Sequence, residues 1–265
     1  MGGKRSVALT AICAKINAPI FSIKHPETFQ IAASLPIPQP SSLAGALAYC
    51  IGTEQRIGLR AQEIIKEIVV AARGKLVSET AITNPVILRR FRILDKGIEE
   101  GDFEKSYETF HLGDFNTFRN TLEKKLTDAL YREYISPAIL KCIWILRTAL
   151  ESKILYLLQR LGDTESLVSV TEAWSASCEI LSVDEVATDY PFTLDDSTID
   201  TIQGNYTVLK MCDEKRGLKL FYVPCKKEIR STPTGVKYFV YIPTKINIKL
   251  KKPCTVFVAD GDYIL

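Results

Sequence analysis

Three prolines fall within the six residues from Leu35 to Pro40, and this segment restricts the fold of the first part of the chain more than any other. Each proline lacks a backbone N–H and has a restricted φ, so the segment forms neither a helix interior nor a central strand. It leads directly to Ser41 and Ser42, which are typical helix N-caps, and then to apolar residues at helical spacing that stop near Gly52. The sequence therefore predicts a helix immediately after a proline-rich loop.

The elements around this helix predict a mixed first part of the chain. Apolar and polar residues alternate over 6–16 and predict a strand. The polar stretch 96–114 contains three glycines and is interpreted as the exposed tip of a long hairpin, whereas 115–134 keeps a helical period and is ambiguous. Four further elements are predicted: a helix over 59–72, a strand-like stretch over 75–94, a buried strand over 139–147 and a helix over 150–161.

The pattern changes at Cys178, after which the chain is typical of short strands separated by glycine and proline turns. Strands are predicted over 179–183, 206–211, 218–223, 238–242, 246–250 and 255–258. A helix-containing first part followed by a run of strands favours an α+β architecture over a doubly wound sheet.

Charge is segregated along the chain, although the formal net charge is only +3. The stretch 161–200 has ten acidic residues and no Lys or Arg, whereas Lys210–Lys252 has twelve basic residues against three acidic ones. This asymmetry favours a polyanion on one surface and a different partner on another. The alternative is an ordinary solvated surface that carries both signs.

Motifs for cofactors and metals are missing from the sequence. The seven scattered cysteines include no C-x-x-C pair and only two histidines are present, which disfavours zinc ribbons, histidine metal sites and Ser-His-Asp triads. No dinucleotide or phosphate-loop signature occurs. No window approaches the roughly 18 consecutive apolar residues of a membrane span. We therefore expect a reduced, cytoplasmic protein with no cofactor, no metal and no membrane partner.

A basic cluster, Arg89-Arg90-Phe91-Arg92, lies in a stretch predicted to be a strand. Arg90 and Arg92 then share one face, and Arg89 joins Phe91 on the other. Arginine binds phosphates through two N–H groups and stacks on bases, so the cluster is a candidate surface for single-stranded RNA. The alternative is an exposed edge strand that is protected by charge.

Two further places in the sequence are candidates for contact with an anion. The hydroxyls and N–H groups of Ser41 and Ser42 at a helix N-terminus favour a phosphate, although helix capping alone needs the same residues. His25, between Lys24 and Pro26, is either the general base of a ribonuclease or a loop histidine that bonds phosphate or backbone. We favour the loop histidine.

Several of these stretches together resemble the CRISPR-associated Cas-five family of the RAMP superfamily, whose members are subunits of type I interference complexes. The resemblance is carried mainly by Phe29–Ile31 with Pro38–Tyr49, and by Leu158–Val168, which is similar to a segment of archaeal type I-A members. It is supported by Arg89–Arg92, Asp128–Ile135 and Val258–Asp262. Type I-D remains the alternative subtype.

The resemblance implies a ferredoxin-like (RRM-type) domain over 1–175, with a long β-hairpin thumb inserted at about 75–135, and a β-rich region over 176–265. It also implies a non-catalytic subunit of a Cascade interference complex. Such a subunit binds the repeat-derived 5′ handle of the guide crRNA, caps the backbone filament and contacts the large subunit. A strong aromatic RNP motif is missing, so we expect phosphate and shape contacts more than stacked bases.

The candidate RNA-binding residues are Lys24, His25, Ser41, Ser42, Arg89, Arg90, Arg92 and Arg132. The acidic stretch 161–200 is expected to face away from RNA, towards solvent or a protein partner. One alternative is a metal-independent endoribonuclease that processes CRISPR repeat RNA, with His25 as its base. Another is an unrelated α+β interaction protein that binds no nucleic acid.

Overall fold

The computed structural model describes residues 9–26, 31–91, 100–121, 127–163, 166–195, 197–235 and 237–265. Within these ranges the chain forms two compact units. The first comprises the described parts of Met1–Thr28, Ala33–Asn84 and Tyr134–Leu265, and the second those of Phe29–Ala32 and Pro85–Glu133. The predicted boundary between residues 175 and 176 falls inside one continuous strand, Ser169–Thr188. The domain limits inferred from the sequence stay a prediction.

The strands of the described residues are β1 (Thr10–Ala18), β2 (Ile31–Ala32), β3 (Val69–Leu76), β4 (Ala81–Phe91), β5 (Thr127–Ser136), β6 (Ala138–Leu146), β7 (Ser169–Thr188), β8 (Ile199–Gln203), β9 (Thr207–Cys212), β10 (Leu218–Val223), β11 (Cys225–Ser231), β12 (Lys237–Pro243), β13 (Ile246–Ala259) and β14 (Asp262–Ile264). The helices are α1 (Pro40–Glu54), α2 (Ala61–Ile68), α3 (Glu100–His111) and α4 (Phe115–Thr121), and 3₁₀ segments cover Gly58–Arg60 and Ser152–Leu157.

Four strands form the centre of the first unit in the order β3-β6-β1-β7, and each neighbouring pair is antiparallel. The second half of β7 pairs with β13, which also pairs with β8 and β14. Two hairpins, β9–β10 and β11–β12, complete the C-terminal part. The predicted class is therefore confirmed in its coarse form, as a mixed fold of mostly antiparallel sheets with few helices.

One face of the central sheet is covered by α1. Leu43, Leu47 and Ile51 recur at helical spacing and are buried in the same cluster as Trp144. The Trp144 indole N–H donates a hydrogen bond to Leu43 O at 2.9 Å, which satisfies the polar atom of a fully buried ring. Burial of each such side chain contributes about 1.5–3 kcal/mol, and this holds α1 against the strands.

The opposite face of the sheet carries basic side chains under an acidic cover. The Lys75 ammonium lies 2.9 Å from the carboxylates of Asp189 and Asp262. The Lys141 ammonium lies 2.6 Å from the carboxylates of Asp260 and Asp262. These two cations are therefore neutralised within the chain by residues that follow β7 or surround the start of β14.

The turn between β9 and β10 covers the free edge of strand β3. The Ala72 N–H donates to Glu214 Oε1 at 2.9 Å, so a backbone group at the sheet edge is satisfied by a side chain. The Arg73 guanidinium pairs with the same carboxylate and donates to Leu265 O at 3.1 Å. Asp213 holds the turn by accepting the Gly217 N–H at 2.7 Å.

The second unit contains α3, α4, β2 and the outer parts of β4 and β5. β2 pairs in parallel with β5. The Phe110 ring centroid lies 5.0 Å from that of Phe118 and 5.8 Å from that of Phe115, so aromatic contacts join α3 to α4.

Two helix predictions were wrong in extent or type. The helix predicted over 59–72 ends at Ile68, and Val69–Leu76 forms β3 because it finds a strand partner in β6. The helix predicted over 150–161 is a 3₁₀ segment at Ser152–Leu157 with extended residues on either side. Apolar spacing alone does not distinguish these conformations over short stretches.

The remaining differences concern the hairpin tip, one strand pair and the helix cap. Glu100–His111 forms α3 rather than an irregular tip, and the ambiguous stretch 115–134 divides into α4 and β5. The two strands predicted over 246–250 and 255–258 are one strand, β13, with a register shift. The N-cap of α1 is Gln39, not Ser41 or Ser42, because Pro40 takes the first helical position.

Candidate nucleic-acid interface

The exposed side of α1 borders a cleft of about 540 Å³ in the first unit. Ser42, Gly45 and Tyr49 lie on one face of the helix, at positions i, i+3 and i+7. We call this feature the α1 cleft; it is lined by Ser42, Gly45, Ala46, Tyr49, Gln159, Arg160 and Gly162. Tyr49 is half exposed (50%), so its ring is accessible from the cleft. The volume is within the range of about 300–1,000 Å³ that is common for ligand sites.

The wall opposite α1 is formed by a loop, residues 159–163 and 166–168, which we call the Arg160 loop. Its ends are joined because the Val168 N–H donates to Gln159 O at 2.9 Å. Buried Ser166 connects it to a distant segment: its hydroxyl accepts the Ser22 N–H at 2.8 Å and donates to Ser22 O at 3.2 Å. The loop is therefore held in place before any ligand binds, while the side chains of Gln159 and Arg160 stay exposed.

Gly162 makes this close approach possible. It has a φ of +107°, which L-residues with a side chain rarely adopt. A Cβ at this position would lie 2.6 Å from Ile23 Cγ1 and 2.7 Å from Ser22 O. Only glycine therefore allows the Arg160 loop to pack against the Ser22–Ile23 backbone.

Lys24 and His25 follow directly after this packed segment. The His25 N–H donates to Ala33 O at 2.9 Å, and Lys24 pairs as an isolated bridge with Ser34. The Lys24 side chain is exposed and His25 is partly buried. Two of the predicted RNA-binding residues thus adjoin the segment that supports the Arg160 loop.

Ser41 and Ser42 lie in the first turn of α1, and Ser42 lines the α1 cleft. The N-terminus of this helix offers fewer free donors than expected for a phosphate site. Pro40 has no N–H, and the Ser42 N–H donates to Gln39 O at 2.9 Å. Ser42 therefore contributes to the cleft through its place in the lining rather than as a helix cap.

The other candidate arginines are assigned to the second unit. Arg89 and Arg90 lie in β4, and Arg92 lies outside the described residues. Arg132 lies in β5, opposite Ala32 of β2, and its side chain is partly buried. The RNA-binding role of all eight candidate residues stays a prediction.

Tyr49, Gln159 and Arg160 were missed as site residues. Arg160 and Gln159 fall in the Leu158–Val168 stretch that carries the family resemblance, so a signal was present in the sequence. Tyr49 falls in the other such stretch, Pro38–Tyr49. What the sequence could not indicate is that these two stretches form the two walls of one cleft.

The basic C-terminal stretch 210–252 contributes ring contacts and local ion pairs. The Lys227 ammonium lies 4.0 Å from the centroid of the Phe239 ring, on the neighbouring strand. Glu228 pairs with Lys226 at 2.8 Å and with Arg230 at 3.3 Å. In the acidic stretch, Asp189 pairs with Lys75, so at least this acidic residue has its partner inside the chain.

The thiols of Cys13 and Cys50 are among those buried in the core. Burial raises the pKa of the Cys13 and Cys50 thiols to about 12, so both are protonated members of the core. Among the residues that the structure describes, no group of three or more His, Cys, Asp or Glu is placed to hold a metal ion. None of the helices in the described ranges combines the length and apolar content needed to span a bilayer.

Comparison with known proteins identifies a consistent set of relatives. The family model described as "CRISPR-associated protein (Cas_Cas5)" matches residues 11–196, more than half of the chain. A CRISPR-associated protein Cas5 of Thermoproteus tenax is 28% identical over 215 residues, covering 80% of this chain and 84% of the relative. A CRISPR-associated protein Cas5 of Methanocaldococcus jannaschii is 27% identical over 179 residues, covering 61% of this chain and 62% of the relative.

The fold also has a counterpart among solved structures. The crystal structure of a CRISPR protein from Archaeoglobus fulgidus superposes with a TM-score of 0.52, covering 96% of this chain and 97% of that chain. The two sequences are only 16% identical, so this likeness concerns the fold alone.

Proposed function

The chain belongs to the Cas5 family of CRISPR-associated proteins, and from that premise we propose that it is a non-catalytic, RNA-binding subunit of a type I CRISPR interference (Cascade) complex. In this role it binds the repeat-derived 5′ handle of the guide crRNA and caps the backbone filament, in contact with the large subunit. The complex acts in the cytoplasm.

The strand arrangement of the first unit supports a ferredoxin-like core. The chain order β1, α1 with α2, β3, then β6, a 3₁₀ segment and β7 gives an antiparallel sheet in the order β3-β6-β1-β7. This is a βαββαβ unit in which the second helix is reduced to a 3₁₀ segment. We assign the thumb to the insertion at about 75–135, which contains β4, α3, α4 and β5, and the β-rich region to 176–265.

The observation that carries RNA binding is the α1 cleft, which brings polar and basic groups of the Arg160 loop together with the exposed side of α1. Arg160 and Ser42 line the α1 cleft, and Lys24 adjoins the segment on which the Arg160 loop rests. The side chains of Lys24 and Arg160 are both exposed, which supports a role for these two cations in contacts with phosphates. RNA binding by such groups depends strongly on salt, because each neutralised phosphate releases counterions.

Copurification tests the proposed function. The chain is coexpressed with its backbone subunit and a guide-RNA locus, and the bound RNA is sequenced. Enrichment of fragments with an intact 5′ repeat handle is the expected result. Protein that copurifies without RNA, or with RNA of random sequence, contradicts the proposal.

The same preparation tests the thumb arginines and the enzymatic alternative. A variant with alanine at Arg89, Arg90 and Arg92 is expected to bind the guide RNA more weakly. Lys153→Ala, which removes one exposed lysine paired with Glu151, serves as a control for the loss of a surface cation elsewhere. Equal binding by wild type and the triple variant would reject that surface.

Incubation with repeat RNA in EDTA is expected to leave the RNA intact, whereas cleavage would support a metal-independent endoribonuclease.

A further inference from the structure

Gly45 lies in the middle of α1. A glycine at such a position lowers the stability of a helix relative to alanine, because it loses more backbone freedom on folding. Nothing within the described residues requires glycine there, since a Cβ would meet no atom within 4 Å. Gly52 in the same helix differs, because its Cβ would lie 2.9 Å from Gly58 O. Gly52 is thus explained by packing within the chain. A glycine facing open space on a helix is typical of a position where a ligand approaches the backbone closely.

Tyr49 stands beside this open position. It follows Gly45 by four residues, so the two lie on the same side of the helix and line the same cleft. Its ring is half exposed and is available to pack against a flat partner. Aromatic rings exposed next to a bare backbone are the common stacking platform for an unstacked nucleobase.

The polar groups of the cleft suit the rest of a nucleotide. Arg160 offers the planar guanidinium that binds phosphate through two N–H groups. Gln159 offers one amide donor and one amide acceptor, the pair of groups that recognises base edges. Among the described residues, the lining includes this one cation and no carboxylate, which favours an anion.

We propose that the α1 cleft holds one unstacked nucleotide of single-stranded RNA, with the base over Gly45 against the Tyr49 ring, its edge towards Gln159 and its phosphate on Arg160. The choice of RNA as ligand rests on the proposed function. The chain then stacks one base, although the missing RNP motif predicted mainly phosphate and shape contacts.

The experiment uses the full chain in complex with its backbone subunit and compares binding of the guide RNA recovered from the wild-type complex. Tyr49→Ala is expected to weaken binding about tenfold, as is usual when a base loses its aromatic platform, whereas Tyr49→Phe retains the ring and binds like wild type. Arg160→Ala is expected to weaken binding and Arg160→Lys to restore part of it, because lysine retains the charge without the planar fork.

A second pair of variants adds side-chain atoms to the cleft at Gly45 and leaves all its polar residues unchanged. Gly45→Leu places a side chain where the base is expected, and should reduce RNA binding at least as strongly as Tyr49→Ala. Gly45→Ala adds only a methyl group at the same place, and should reduce RNA binding less than Gly45→Leu does. Melting temperatures of both variants at or above that of wild type will show that the loss of binding does not come from unfolding.

Ultraviolet crosslinking of the wild-type complex followed by mass spectrometry provides the direct readout, and an RNA adduct on Tyr49 is the expected result. If no guide RNA is recovered with wild type, both this proposal and the proposed function are overturned. If guide RNA is recovered but Tyr49→Ala and Gly45→Leu bind as tightly as wild type, only the cleft assignment is overturned. A crosslink from Tyr49 to another subunit instead of RNA also overturns it, and identifies a protein occupant.

Discussion

Two regions of the first unit carry basic side chains, and they differ in what neutralises those charges. On the sheet face beneath β14, Lys75 and Lys141 lie within 2.6–2.9 Å of carboxylates. Arg160, which lines the α1 cleft, and Lys24, next to the segment that supports the Arg160 loop, are exposed and form no ion pair within the described residues. Basic residues counted in a sequence are therefore not equally available to a polyanion. The sheet cations are held by carboxylates of the fold, and the exposed cations near α1 are the ones that we propose contact RNA.

The largest expected effect on stability comes from removing the charge of Glu214, which pairs with the buried Arg73. Arg73 is only 6% exposed, so Glu214→Gln leaves its guanidinium without a counter-charge and should lower the free energy of unfolding by about 3 kcal/mol. Glu172→Gln is the control, because its partner Lys15 is exposed and the pair contributes about 0.5 kcal/mol or less. Chemical denaturation of both variants measures the difference. Equal losses would show that Arg73 is not buried as described.

Lowering the pH tests the ion pairs of Asp262 with Lys75 and Lys141 without any substitution. Burial acts to raise the pKa of Asp262, but hydrogen bonds from Lys141 and Lys75 outweigh it and hold the pKa below its ordinary value. A carboxyl whose folded pKa is depressed contributes stability above its unfolded pKa and loses it as the pH falls through the folded value. Stability should therefore decline below about pH 4.

Asp262→Asn provides the control for this pH dependence, since asparagine has no proton to gain in this range. The variant should be less stable than wild type at neutral pH and should lose less stability on acidification. Denaturation curves at several pH values between neutrality and the acid range measure both effects. Parallel pH profiles for the two proteins would exclude Asp262 as the titrating group.

The exposed cations near α1 should change the salt dependence of RNA binding. If about six phosphates are neutralised, log K falls with log salt at a slope near −4 for single strands, and each cation contributes about 0.7. Lys24→Ala combined with Arg160→Ala should make the slope less steep by about 1.4. Lys153→Ala should leave it unchanged. An unchanged slope in the double variant would mean that these cations do not contact phosphates.

The smallest expected effects on the free energy of unfolding come from alanine substitutions at Gly45 and Gly52, the two glycines of α1. Gly45→Ala should raise the free energy of unfolding by about 0.5–1 kcal/mol, because alanine loses less entropy in a helix and the Cβ points into open space. Gly52→Ala should lower it, because the Cβ would lie 2.9 Å from Gly58 O. Thermal denaturation of the pair tests both signs. Destabilisation by Gly45→Ala would show that the space above it is already occupied within the chain.

Local patterns were enough to locate several elements. The strand predicted over 139–147 is β6, at Ala138–Leu146, a short apolar run that is buried between two neighbouring strands. The helix after the proline-rich loop is α1, since Pro40 ends the extended segment and is well suited to a first helical turn. The candidate site was predicted only in part, through Ser42 and the neighbouring Lys24 and His25.

The sequence by itself determined what depends on near neighbours: the proline-rich loop, the helix that follows it, the alternation within strands and the motifs that indicate the Cas5 family. Only the tertiary structure decided that Val69–Leu76 is a strand, since that outcome depends on β6 as a partner. It also decided that Lys75 is neutralised by Asp189, and that Gly162 meets Ile23 to form the wall of the α1 cleft. The partners in each of these contacts lie far apart in the sequence, and no local propensity reports a contact that exists only once the chain has folded.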